Sequence, residues 1–132
     1  SSSGSFIWPC PSCHTISSTF GYRVHPIFGT SKYHSGVDVP ASAGASIIAA
    51  DSGTVVISEY SSSYGNYIVI NHGNGYTTTY AHMSSRLVAA GSTVSQGDTI
   101  GLVGSTGWST GPHLHFEISY NGSRVDPLSY VS

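Results

Sequence analysis

Short apolar runs alternate with turn-forming residues along this chain, and within the runs the alternation has the period of a strand. In His113-Leu114-His115-Phe116-Glu117-Ile118, successive side chains of an extended backbone point to opposite faces. Leu114, Phe116 and Ile118 therefore share one face and His113, His115 and Glu117 the other. Residues 76–82 repeat the period, which places Tyr76, Thr78, Tyr80 and His82 on one polar and aromatic face. Upstream, residues 47–50 (Ile-Ile-Ala-Ala) and 54–58 (Thr-Val-Val-Ile-Ser) read as two strands joined by a tight turn at Asp51-Ser52-Gly53. Tyr67-Ile68-Val69-Ile70 reads as a further strand, followed by a turn at His72-Gly73-Asn74-Gly75 that makes His72 a structural residue. Between Leu87 and Gly104, apolar positions are punctuated by Gly91, Gly97-Asp98 and Gly101, and Asp126 falls in turn chemistry beside Pro127. Residues 6–33 carry Pro and Gly too often for a long helix. The expected fold is all-β and mostly antiparallel.

Composition narrows the function classes. With 132 residues, 39% of them hydrophobic, the chain makes one domain with its own core. We expect residues 6–132 to form it, with Ser1-Ser2-Ser3-Gly4-Ser5 as a linker remnant. Only 8% of residues are charged and the net charge is -2, which excludes a phosphate-tracking surface and with it a nucleic-acid partner. No apolar run reaches the roughly 20 residues of a membrane-spanning helix. Cys10-Pro11-Ser12-Cys13 lacks the second ligand pair of a zinc knuckle and the helix of a thioredoxin-like motif, so a local disulfide between Cys10 and Cys13 is the leading expectation, with free thiols as the alternative.

The candidate chemistry lies in the histidines. His113 and His115 share a face, and by spacing alone either could ligate a metal. In His34-Ser35-Gly36-Val37-Asp38, full extension would hold His34 and Asp38 about 13 Å apart. Gly36 permits the bend that would bring them to one ion, and imidazole plus carboxylate suits zinc.

Taken in order, Phe20-Gly21-Tyr22-Arg23, His34-Ser35-Gly36-Val37-Asp38, Tyr80-Ala81-His82-Met83, Gly104-Ser105-Thr106-Gly107 and Gly111-Pro112-His113-Leu114-His115-Phe116-Glu117 resemble the M23 (lysostaphin-like, LytM) zinc metallopeptidases. The resemblance spans most of the chain. It implies a single β domain with a groove-shaped active site, and Zn2+ held by His34, Asp38 and His115. It implies His82 and His113 as catalytic residues, without dividing their roles, and leaves Glu117 outside the catalytic set. The groove would be floored by the His82 and His113 strands and walled near His25, Tyr60 to Tyr64 and Trp108, with Arg23, His25, Tyr80 and Trp108 as substrate contacts. The implied activity is endopeptidase cleavage of bacterial peptidoglycan peptides, with stem-peptide D-Ala cross-links favoured over glycine bridges. Such a domain would be monomeric, of bacterial or phage origin, and secreted or associated with the cell wall. Two rivals belong beside this reading. A non-catalytic M23-like scaffold that activates another hydrolase would usually lack one of these positions, yet all five are present. A lipoyl-type carrier needs a hairpin lysine, and Lys32 is the only lysine.

Overall fold

A computed structural model describes residues 6–17, 20–24, 31–34, 36–107 and 111–131, with the backbone alone at 22–24 and 31–34. Two strands, β1 (Gly21–Val24) and β2 (Ser31–His34), form an antiparallel pair of their own. The remaining strands are β3 (Val37–Pro40), β4 (Ser46–Ile48), β5 (Gly53–Ser61), β6 (Gly65–Gly73), β7 (Tyr76–Arg86), β8 (Thr93–Val94), β9 (Thr99–Val103), β10 (His113–Tyr120) and β11 (Ser123–Val125). These nine join one sheet, and every pairing between named strands is antiparallel. Among the described residues the only helical turn is a 3-10 turn at Pro127–Ser129, which Asp126 caps by accepting the Leu128 N–H. Asp126 thus shapes a turn, as its place beside Pro127 suggests.

The sheet is organised around β7. One of its edges carries β6; the other carries β10 as far as Ala81 and then β9 from Met83 onward. β10 is shared in the same way, since its far edge pairs with β3 at 113–116 and with β11 at 118–120. The core fills one face of this arrangement: Val37, Val39, Ile68, Ile70, Leu114, Phe116 and Ile118 are all fully buried. The alternation in β10 accounts for three of them, and burying a side chain the size of Phe or Leu contributes about 1.5–3 kcal/mol.

The strand at Ile47 does not turn back on the strand at Val55. β4 pairs with β9, whereas β5 pairs with β6 and β8. The chain is carried past the expected hairpin because Ile48 donates to Pro9 O and Ala49 to Asp98 O, so that both neighbours of β4 come from elsewhere in the sequence. Asp51 is buried there and accepts the Ser52 N–H. The true hairpin is β5–β6, longer than the apolar run suggests and closed at Ser61–Gly65.

His72 is structural, though it lies in β6 rather than in the turn. Its Nδ1 donates to Ser52 O at 2.8 Å, its Nε2 bonds Thr78 Oγ1 at 2.7 Å, and Phe6 packs edge-on against the ring. Burial lowers its pKa from the ordinary 6.5, because a charged imidazole loses hydration there. A depressed folded-state pKa means that the unfolded chain takes up the proton first, so this contribution to stability is present above pH 6.5 and lost as pH falls. Denaturation measured between pH 7 and pH 5 is therefore expected to show stability declining toward pH 5. In His72→Gln the slope is shallower by up to one proton, about 1.4 kcal/mol per pH unit.

Candidate active site

The site lies where β7 changes partner. Up to Tyr80, the alternation puts Thr78 and Tyr80 on the core face, opposite Ile118 and Phe116 of β10, while Thr79 and Ala81 share the other face with Glu117 and His115. Continued alternation would send His82 into the core. Instead Ala81 and His82 together oppose the single residue Tyr67 of β6, a bulge that shifts the register by one residue. His82 takes a left-handed φ of 63° and turns its ring to the side of His113 and His115. A bulge redirects a side chain in this way, and a left-handed non-glycine residue persists only where its surroundings hold it. Here the His82 N–H donates to Tyr64 O at 2.8 Å, and Nδ1 donates to Thr106 O at 2.7 Å.

The bulge also corrects the expectation for Tyr80. It does not share a face with His82 and cannot contact a substrate: it is fully buried, with Phe116 at 5.3 Å between ring centroids and its hydroxyl bonded to Ala50 N and Thr78 Oγ1.

Three imidazoles converge. The rings of His82 and His113 lie 4.8 Å apart and those of His82 and His115 6.1 Å apart. His113 Nδ1 donates to Gly111 O at 3.0 Å, and its Nε2 lies 3.6 Å from Asp38 Oδ1. Since a carbonyl only accepts, Nδ1 carries the proton in both His82 and His113, and Nε2 is the nitrogen left for proton transfer. Burial, aided by the nearby imidazoles of His113 and His115, lowers the pKa of His82 from 6.5 and keeps it neutral at pH 7.

His115 stands apart from these two. Its Nδ1 meets Asp38 Oδ1 at 2.7 Å and its Nε2 meets Glu117 Oε2 at 2.8 Å. Burial opposes a charge on this ring, but the two carboxylates outweigh burial and push its pKa up to about 9. Asp38 is placed by β3, which pairs directly with β10, Asp38 opposite His115. Just before it, Gly36 lies so close to the Phe116 carbonyl and the Glu117 side chain that a Cβ would overlap both.

Among the described side chains, no three His, Cys, Asp or Glu residues converge on a metal-sized centre. The side chain of His34 lies outside them, although its backbone ends β2 two residues before Gly36. What is described fits a cation in its donor chemistry: a carboxylate oxygen and an imidazole nitrogen in contact, the ring's other nitrogen held by a second carboxylate. Residues 1–5, His25 and Trp108 lie outside the described residues, as does the side chain of Arg23, whose backbone pairs with Lys32. The groove wall expected at Tyr60 to Tyr64 is the tip of the β5–β6 hairpin, where Tyr60 is exposed and Tyr64 folds inward. Cys10 and Cys13 are free thiols here.

Residues 32–127 match Peptidase family M23. The chain belongs to that family. Among its relatives, the DD-carboxypeptidase/endopeptidase Mpg of Neisseria meningitidis serogroup B is 47% identical over 114 residues, covering 86% of this chain and 26% of that protein. The peptidoglycan DD-endopeptidase ShyC of Vibrio cholerae is 47% identical over 113 residues, covering 85% and 26%. A zinc-containing peptidase from Vibrio cholerae superposes with a TM-score of 0.87 at 37% identity, covering 92% of this chain and 39% of that one. The chain thus spans about a quarter of the length of these curated relatives.

Two residues that the sequence placed only in a groove wall and in a family motif hold the histidines in position. Tyr64 supports His82 through its carbonyl and Glu117 through its hydroxyl, at 2.6 Å. Thr106 offers its carbonyl to His82 and bonds Met83 O and Asn66 N through Oγ1. The available signal was glycine. Gly107, at φ 75°, lies so close to Gly65 that a Cβ would overlap the Gly65 nitrogen, and this approach lays the Thr106 loop on the hairpin tip. Gly107→Ala is expected to cost about 1–2 kcal/mol from its φ alone, measured by thermal denaturation. Proton NMR should then show the His82 Nδ1–H signal losing its protection from exchange as the Thr106 carbonyl is displaced.

Proposed function

We propose that this chain is the catalytic domain of a zinc-dependent endopeptidase that hydrolyses peptide bonds in bacterial peptidoglycan, stem-peptide D-Ala cross-links before glycine bridges. The observation that carries the proposal is the division of labour among the histidines: His82 and His113 are each held through Nδ1 by a backbone carbonyl, beside a His115 and Asp38 pair suited to a cation. The DD-endopeptidase names of its relatives support the preference for stem-peptide bonds.

In this reading His34, Asp38 and His115 hold zinc, His34 by family resemblance and the other two with the support of their contact. Zinc bound there supplies Lewis acidity toward a water and toward the scissile carbonyl. The protein supplies the proton transfers. Neutral His82 offers Nε2 as an acceptor for a proton from the attacking water, and the imidazolium so formed returns it to the departing amine. His113, 4.8 Å away between ring centroids and also held through Nδ1, presents Nε2 to exchange a proton with the same substrate. The rigid sheet keeps these groups at fixed separation while the substrate changes. The domain acts as a monomer, secreted or associated with the cell wall.

The test is fragment release from purified peptidoglycans of different cross-link types, analysed by mass spectrometry. New amine termini should appear at D-Ala cross-links, and chelation should abolish them. His82→Ala and His113→Ala should each lower the rate by about a hundredfold or more. Release at glycine bridges would redirect the substrate preference. Absence of release from every wall, with zinc bound, would instead favour a domain that binds the wall or activates another hydrolase.

A further inference from the structure

Glu117 is the one carboxylate in the site with no exposed surface. An isolated charge there would be expensive, and the fold surrounds it with donors: Tyr64 donates to Oε2 at 2.6 Å, Arg124 Nε donates to Oε1 at 2.9 Å, and His115 Nε2 lies 2.8 Å from Oε2. These donors come from three places, the β5–β6 tip, β11 and β10 itself. Arg124 is set opposite Ser119 by the β10–β11 register, and the tip is fixed by Tyr64 O against His82. The carboxylate is therefore held from both sides and aimed at one ring nitrogen.

We infer that Glu117 is a positioning residue that keeps the His115 proton on Nε2, so that Nδ1 is the nitrogen presented beside Asp38. The inference deepens the zinc reading proposed above and rests on it for its functional meaning. A neutral imidazole has one proton to place, and the hydrogen bond made by the other nitrogen decides where it goes. Asp38 cannot make that choice alone, because it faces the nitrogen that must be bare. Glu117 faces the opposite nitrogen, is closed to water, and has its own position set by Tyr64 and Arg124. The outer carboxylate thus orients the inner ligand.

Nitrogen-15 NMR of His115, at a pH where the ring is neutral, reads the tautomer directly, with and without zinc. Zinc affinity by competition with a chelating dye is the second readout. Wild type should carry the proton on Nε2 in both states. Glu117→Leu, which removes the acceptor, should give mixed tautomers and weaken zinc binding about 10- to 100-fold. Glu117→Gln, which keeps an oxygen to accept from Nε2–H, should restore the wild-type tautomer and most of the affinity. Should Glu117→Leu fail to fold, Tyr64→Phe combined with Arg124→Met leaves the carboxylate in place but loosens it, and affinity should fall by about tenfold or less. A wild-type proton on Nδ1, or a folded Glu117→Leu with unchanged tautomer and affinity, overturns the inference. A wild type that holds its proton on Nε2 yet binds no zinc overturns the zinc reading and leaves this one standing.

Discussion

One residue's departure from the pleat governs the site. β7 must serve β10 along its first part and β9 along its last, and the handover falls on His82. A strand that changes partner breaks its ladder there, leaving backbone groups that must be satisfied elsewhere. The His82 N–H finds Tyr64 O, and its ring nitrogen finds Thr106 O in the segment that leads from β9 to β10. The backbone irregularity and the orientation of the imidazole are therefore one feature. Without the slip, the same histidine would lie on the face occupied by Tyr80 and Phe116.

A second constraint is electrostatic. The site face of β10 is nearly as dry as its core face, since His115 is 6% exposed and Glu117 0%. Charges at such depth persist only as members of a satisfied set, and leaving one partner alone typically costs several kcal/mol. Asp38, His115, Glu117, Tyr64 and Arg124 form such a set, linked by contacts of 2.6–2.9 Å. Its geometry is correspondingly stiff: moving one member disturbs the hydrogen bonds of the next. His82 and His113 are tied to backbone carbonyls instead, which fix orientation without adding charge.

The sequence shows clearly what depends on near neighbours. The alternation in 113–118 sorts Leu114, Phe116 and Ile118 from His113, His115 and Glu117, and the structure sorts them the same way. Gly36 before Asp38 reads as the place of a bend, whereas the structure shows a close approach there, with no room for a Cβ against the Phe116 carbonyl. What the sequence conceals is set by distant partners. The Asp51-Ser52-Gly53 turn looks like a hairpin until β9 claims β4 through pairs some fifty residues apart. Tyr80 and His82 look like one face because nothing local marks a slip that falls where β7 passes from β10 to β9. Tyr64, in a run of Ser-Ser-Ser-Tyr-Gly, has the appearance of a loop tip, and its partner Glu117 is 53 residues away. The separation of His113 from His115 likewise comes from family resemblance at the level of sequence. In the structure the two differ visibly in what each ring nitrogen meets.

Tyr64 belongs to both halves of the site at once. Its carbonyl takes the backbone N–H of His82, and its hydroxyl takes the Glu117 carboxylate behind His115. Both bonds originate from one residue at the end of a nine-residue strand pair, so the hairpin tip acts as a mechanical common rail. A displacement of that tip cannot loosen one half and spare the other. Drift in this hairpin, under selection or under load, would loosen the setting of His82 and that of His115 in step, leaving an arrangement that is either wholly assembled or wholly undone.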